Sequence, residues 1–432
     1  MSLTSTTPTP AETTFYGQDV EVMTPTSYDE LAQVLEEQRG RGRCVIPSGL
    51  GAHAYLGNPV EDSAVVLSLR EMRSILRYEP GDFTVGAQAG VSLNELSAEL
   101  SSNGQEIPID VPSGDGKSFT LGGAVAANLF GPRSGFYGSL RNYTIGAVGM
   151  RGDGSIYKTG GMVVKNVAGY DIAKLLVGSL GTLGIILEVN FKLRPVREYQ
   201  VGGLVSFSVP SEAWDFVRLL RERHLDPVTL SVLGPETTRA LLSKIDAGDD
   251  EAWSVMWSFE GNQGAVSALS TRLEGLLDEV PSGARWALDD GRLPAALDFL
   301  VGLQIPESVE STDLLILRLS ALPSGAERLS ERVQDTVEAH ARLESLVAYG
   351  STGVLVVRVR GEAEGLANCL REISRVLPDT DAKGRVLFAS NECKKKHEFL
   401  LRPDPNPKIA RAILGVYDPY AFFHSNRVSR TT

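Results

Sequence analysis

The sequence predicts an α+β protein, on three observations. Fifteen of its 44 glycines lie between residues 120 and 184, in two clusters flanked by β-branched runs. Short apolar segments of strand type alternate with amphipathic helical ones along the whole chain. Beyond Arg197 the glycines thin out and longer helices take over, so a second unit follows the first. A chain of 432 residues has room for two or three domains and a sizeable core.

The first fourteen residues are mostly Ser, Thr and Pro and bury too little to offset their ordering entropy, so a disordered tail is expected over 1–17. With no basic start and no apolar stretch, that tail does not read as a secretory signal. From Tyr28 to Arg39, Leu31, Val34 and Leu35 recur at helical spacing, and Thr26 or Ser27 is placed to cap them. Cys44, Val45 and Ile46 form a short strand that runs into a turn-rich loop at 47–51. Strands follow at 64–69 and 83–87 with a turn at 79–82 between them, then a helix at 91–103 with Leu93, Leu96 and Leu100 on one face. A long strand at 185–193 leads to Pro195 and closes a first domain over 18–197. Helix 212–223 and strands 314–319 and 354–360 belong to an α/β second domain over 198–415. No internal repeat of fixed period is visible. The aromatic-rich segment 417–427 is expected to pack back onto the first domain, which sets 416–432 apart as a returning tail.

Composition excludes several functions. With 42 basic against 54 acidic residues the formal charge is -12, which disfavours binding of nucleic acid through a basic surface. Three cysteines far apart, Cys44, Cys369 and Cys393, give neither a disulfide framework nor a thiolate metal site, in keeping with a reducing cytosol. Five histidines at 53, 224, 340, 397 and 424 show no HxxxH or HExxH spacing, so no metal site is expected. No run approaches 18 apolar residues, so no transmembrane segment is expected.

The two glycine clusters carry the chemistry. Thr120 to Asn128 and Gly178 to Ile186 would let main-chain amides approach a ligand closely, and a large, flat, phosphorylated cofactor suits them. Gly49 and Gly51 after a strand invite a dinucleotide-fold reading, but the broken sequence at 52–59 cannot start the helix that motif needs. Gly116, Lys117 and Ser118 look like the end of a P-loop, yet the earlier glycine it requires falls at Val111, and an ATP site is rejected.

Together the loop 47–52, the segment 120–128, the run 165–171 and the closing 178–186 resemble the FAD-binding domain of the vanillyl-alcohol oxidase and p-cresol methylhydroxylase superfamily (PCMH-type). Within it they are most similar to the FAD-binding accessory subunits of bacterial glycolate oxidases. The resemblance implies a two-subdomain PCMH-type FAD-binding domain followed by an α/β cap domain. It makes Pro47, Ser48, Gly49, Leu50, Gly51 and Ala52 a pyrophosphate loop, and it sets Leu121, Gly122, Gly123, Ala127 and Asn128 beside the pyrophosphate and isoalloxazine. Gly181, Thr182, Gly184, Ile185 and Ile186 would contact the ribityl and adenine side. Ordinary turn and strand glycines are the alternative for each residue.

Two departures are informative. Many superfamily members attach FAD through a histidine just after the first glycine loop, where this chain has Ala52, with His53 one residue further on; noncovalent FAD is expected. The usual Asn-Pro-Gly-Arg tail is replaced by His424, Ser425, Asn426 and Arg427. The resemblance further implies a cytoplasmic protein, with any membrane association made through its partners, a catalytic flavoprotein subunit and an iron-sulfur subunit acting on a small 2-hydroxy acid. A self-sufficient FAD-dependent 2-hydroxy-acid dehydrogenase would need a base and a carboxylate-binding arginine of its own, for which Arg358, Arg360 or Arg427 are candidates, and the catalytic residues remain unassigned. An FAD-binding scaffold subunit without turnover is the third reading.

Overall fold

Apolar periodicity and capping build the elements that hold the glycine loops. The computed structural model describes residues 14–15, 18–60, 63–111, 119–162, 171–401, 406–423 and 425–428. Most of the expected N-terminal tail, the 116–118 segment, residues 165–170 and His424 lie outside the described residues.

Strands β1 (Glu21–Met23), β2 (Val45–Ser48) and β3 (Val65–Ser68) form a parallel sheet in the order β1-β3-β2. All four residues of β3 are buried, as a central parallel strand requires. Helix α1 (Tyr28–Gly40) makes the crossover between β1 and β2, burying Leu31, Val34 and Leu35, with Ser27 as its cap accepting from the Glu30 amide at 3.2 Å.

Next to it stands an antiparallel sheet of β4 (Ile75–Glu79), β5 (Thr84–Gln88), β6 (Thr144–Met150), β7 (Ile156–Gly160) and β8 (Ile185–Lys192), ordered β7-β6-β8-β5-β4. Val85, Ala87, Val189 and Phe191 from this sheet share one core with Leu31, Leu35, Val45 and Leu67. Helix α2 (Leu93–Ser102) begins with a reciprocal cap between Ser92 and Glu95. A further short helix, α3 (Leu121–Ala127), is capped by Thr120 and closed by Asn128 in the left-handed conformation at φ 46°. The glycine cluster at 120–128 is thus the start of a helix, not an open loop.

The C-terminal region is a single eight-stranded sheet in which every pairing is antiparallel. Its strands are β9 (Tyr199–Phe207), β10 (Thr229–Leu233), β11 (Trp253–Gly261), β12 (Arg285–Leu288), β13 (Leu314–Ser320), β14 (Arg342–Tyr349), β15 (Val354–Arg360) and β16 (Lys383–Phe388), in the order β12-β9-β11-β10-β14-β15-β13-β16. Each run of four strands has the βαββαβ arrangement with two connecting helices, and the two runs meet at β10 and β14. The topology is therefore duplicated. The sequence hides this because the first half inserts a helix, Pro235–Lys244, between its second and third strands, where the second half has a tight turn.

Alternation along β13 shows what the sheet divides. Leu315, Leu317 and Leu319 pack with the cap helices, whereas Leu314 and Ile316 pack with Ile46, Leu56, Val66, Ala127 and Leu180 of the N-terminal region. The sheet thus has four of its helices behind it, and in front the glycine loops beside the helices Pro235–Lys244 and Arg292–Gly302, which pack on Leu204, Leu233, Val347 and Val356. The chain then passes through a helix at Pro407–Tyr417 and returns: Phe422 and Phe423 join the core of Leu31 and Leu35, and the Val45 amide donates to Phe422 O at 2.9 Å. Among the described residues no helix is long and apolar enough to cross a membrane.

Candidate cofactor site

Where β2 ends, the chain turns out of the sheet. The amides of Gly49, Leu50, Gly51, Ala52 and His53 donate to no other described group; internal bonding resumes with the Ala54 amide to Gly51 O at 2.9 Å and the Leu56 amide to His53 O at 3.1 Å. Five successive amides without a described acceptor, all in residues that line one groove, suit an anion without needing a lysine. Across from this loop lies the start of α3. Thr120 accepts from the Gly123 amide at 3.3 Å, and a Cβ on Gly49 would stand only 1.9 Å from Thr120 Oγ1, so glycine alone permits this approach. Gly181, at φ 77°, brings the third wall against the Pro47 ring.

The structure gathers most of the residues expected from sequence into one groove. Pro47 to Ala52, Gly123 and Ala127 line one end with Thr120, Leu180 and Arg427. Pro47 to Gly49, Gly122, Gly123, Gly181, Gly184 and Ile186 line the other with Leu69 and Ala89. Four residues do not line it. Leu121 and Ile185 are fully buried in the core beneath. Thr182 turns inward to donate to Ser179 O at 2.7 Å, and Asn128 closes α3. A glycine motif marks a segment, not which of its side chains face the ligand.

Sequence reasoning did not place His53 in the wall. Its ring stacks on Phe119 at 4.7 Å between centroids, its Nε2 is buried without a partner, and burial pushes the imidazole down to about 4, which keeps it neutral near pH 7. Arg427 does reach the site from the tail, donating to Leu56 O at 2.8 Å. Asn58 binds that tail to the rest: its amide donates to Arg427 O at 2.8 Å, its side chain donates to Asn426 O at 2.8 Å, and its Oδ1 accepts from the Phe399 amide at 2.8 Å.

In the C-terminal region Arg358 and Arg360 are already engaged. Arg358 donates to Leu303 O and Ile305 O and pairs with Glu344 and Glu307; Arg360 pairs with Glu344, Asp313 and Glu307. Neither has charge left for a substrate carboxylate. Arg318, which sequence reasoning passed over, lies buried on the face of the sheet turned to α3, its guanidinium 4.6 Å from the Phe130 ring centre and 3.4 Å from Asn128 O. Elsewhere between the two regions, Glu260 of β11 accepts from Tyr137 Oη at 2.6 Å and sits 3.4 Å from Arg133 and 3.3 Å from Arg194. Among the described residues no three His, Cys, Asp or Glu side chains gather as a metal site would need.

Residues 21–160 match the family model described as an FAD-binding domain. The glycolate oxidase subunit GlcE of Escherichia coli (strain K12) is 38% identical over 151 residues, 35% of this chain and 42% of that protein. Glycolate oxidase subunit GlcD of Bacillus subtilis (strain 168) is 32% identical over 216 residues, 50% of this chain and 46% of that protein. A D-lactate dehydrogenase of Anaerostipes hadrus is 32% identical over 212 residues, 49% and 44% respectively. The chain thus spans less than half the length of these relatives. A solved structure of alkyldihydroxyacetonephosphate synthase superposes with a TM-score of 0.67 at 17% identity, covering 94% of this chain and 76% of that one, which shows the shared fold.

The fold is of α+β class, and most residues that line the groove lie in the region that matches an FAD-binding domain. Residues 21–160 thus carry an FAD-binding domain, and the cofactor is FAD. The groove fits that group: the unpaired amides suit a pyrophosphate, and the approach of Gly49 to Thr120 leaves room for no side chain between the walls.

Proposed function

We propose that this chain is the FAD-binding subunit of a glycolate-oxidase-like complex that oxidises a small 2-hydroxy acid and passes the electrons to an acceptor. The observation that carries the reading is the run of amides at 49–53 that donate to no described group, beside the Thr120 cap, in a chain similar to a glycolate oxidase subunit. Residues 47–52 would hold the FAD phosphates. Gly122, Gly123 and Ala127 would lie beside the isoalloxazine, and Gly181, Gly184 and Ile186 beside the ribityl and adenine side, with Leu121, Asn128, Thr182 and Ile185 supporting them from behind. Residues 18–197 act as the FAD-binding domain, 198–415 as the cap, and the tail from 416 completes the groove. Bound FAD supplies two-electron acceptance, and the chain supplies placement and electrostatics. Attachment is noncovalent, because Ala52 has no nucleophilic atom and His53 is packed on Phe119. A catalytic flavoprotein subunit and an iron-sulfur subunit complete the assembly in the cytoplasm, with any membrane association made through them.

The test is stopped-flow reduction of the FAD-loaded chain by glycolate and D-lactate, alone and with its copurifying partners. Slow reduction alone and fast reduction in the complex is the expected result, since general acid–base help contributes roughly 10²- to 10⁴-fold. Turnover alone at tens per second with an artificial acceptor would favour the self-sufficient dehydrogenase, a reading supported by buried Arg318, which has no ion pair among the described residues. A colourless chain that takes up no added FAD would overturn both.

A further inference from the structure

The face of the eight-stranded sheet that looks toward α3 carries two arginines side by side. Arg318 on β13 and Arg385 on β16 are direct cross-strand partners, so their side chains leave the same face. Arg318 is 7% exposed and Arg385 is partly buried. Neither makes an ion pair with any described carboxylate, and burial together with the neighbouring Arg385 charge pushes Arg318 down to about 9. Like charges facing each other across a ladder oppose folding, and a buried charge without a counter-charge opposes it more. Elsewhere on this sheet the fold does supply partners, since buried Arg358 on β15 is matched by Glu344 and Glu307. Among the described residues, the exception at Arg318 and Arg385 leaves two cations ready to receive an anion.

The surroundings specify its chemistry. Among the described residues Tyr349 Oη is buried without a hydrogen-bond partner and feels the charges of Asp110, itself paired with Arg133, and of Arg318; Asn128 Oδ1 is likewise buried without a partner. The Phe130 ring lies 4.6 Å from the Arg318 guanidinium and gives the site an apolar wall. Asn128 directly follows Ala127, which lines the cofactor groove. A planar carboxylate on a short carbon skeleton matches a forked donor, a hydroxyl donor and an apolar wall.

We propose that Arg318 and Arg385, with the Tyr349 hydroxyl, form a carboxylate subsite through which this chain itself holds a small organic acid beside the cofactor groove. The inference rests on the flavin reading above for the identity of the neighbouring groove, but the arginine pair stands on its own geometry. If it holds, the chain is more than a cofactor carrier, because the acid meets residues of this subunit.

The FAD-loaded full chain is titrated with oxalate, a carboxylate that offers no C–H bond to oxidise, while melting temperature and flavin absorbance are followed. Arg318→Met and Arg385→Met are compared, with Arg385→Gln in reserve should Arg318→Met fail to fold. Oxalate is expected to raise the wild-type melting temperature saturably and to perturb the flavin spectrum. Each variant should bind oxalate at least about tenfold more weakly, keep its FAD affinity within about twofold, and melt no lower than wild type without oxalate, because an uncompensated charge has been removed. No response of the FAD-loaded wild type to oxalate, an equal response in the variants, or the same response to sulfate at equal ionic strength overturns the proposal. Loss of FAD from the variants also overturns it, assigning the arginines to the cofactor. A chain that takes up no FAD defeats the flavin reading instead, and oxalate titration of the apoprotein against the same variants still decides the subsite.

Discussion

At Gly49 a single missing Cβ lets the loop close onto the α3 cap. An alanine there would place its methyl 1.9 Å from Thr120 Oγ1, so either the loop or the α3 cap must move. Gly49→Ala is expected to weaken FAD binding by about a hundredfold, roughly 3 kcal/mol, and to cost about 1 kcal/mol more through the disturbed cap. Flavin fluorescence titration and a melting curve would check both, and unchanged FAD affinity would refute the assignment of this loop. His53 gives a pH test. Its folded value of about 4 lies below the ordinary 6.5, so as pH falls from 6.5 toward 4 the unfolded chain takes up a proton that the folded one refuses. Stability should fall across that window by up to about 3 kcal/mol, and a His53→Gln variant should lose less when melting is followed from pH 7 to pH 4.5. The glycines at 49 and 51 were legible in the sequence because turns punctuate it. His53 was legible only as a rival for flavin attachment, since its burial depends on Phe119, far away in the chain.

At the scale of elements, α1, β2, β3 and α2 were readable from periodicity and caps, since Leu31, Val34 and Leu35 fall on one helical face and Ser92 precedes Glu95 by three. The duplicated sheet was not, because topology repeats without a shared period of residues. Nor was the bond between β11 and the N-terminal region. Glu260 meets Arg133, Tyr137 and Arg194 across separations of 127, 123 and 66 residues, and nothing local signals such a meeting. Glu260 is nearly buried, with 4% of its side chain exposed, and it faces two guanidiniums whose other partners are Asp110 and Glu106. Glu260→Gln would leave those cations short of one counter-charge and is expected to cost about 3 kcal/mol. Chemical denaturation followed by tryptophan fluorescence reports this directly, since Trp253 and Trp257 lie on the same strand. A variant as stable as wild type would show that the Glu260 ion pairs add nothing to the hold between the two regions.

For the molecule as a whole, one small residue ties three parts of the chain together. Asn58, 1% exposed, leaves the glycine loop and binds both the cap, through the Phe399 amide, and the returning tail, through Asn426 O and Arg427 O. The sequence showed the tail's aromatic character but not its anchor, because an asparagine in a loop looks like any turn residue until its partners arrive from 341 and 368 residues away. Two variants separate what this junction does. Arg427→Met keeps the chain trace, and with it Phe422 and Phe423 in the core, but removes the guanidinium that donates to Leu56 O and lines the groove. It should lower FAD affinity while moving the melting temperature little. Asn58→Ala removes three side-chain hydrogen bonds, to Glu398, Asn426 O and the Phe399 amide, and takes a partner from the Phe399 amide and Asn426 carbonyl at about 1–3 kcal/mol for each group. It should lower the melting temperature by several degrees and free the tail, which limited proteolysis would detect as new cleavage beyond residue 417. If Asn58→Ala melted like wild type with the tail still protected, the tail would be held without the Asn58 side chain, by Phe422, Phe423 and the main-chain and Arg427 bonds, and the FAD groove would owe nothing to that side chain's hold on the cap.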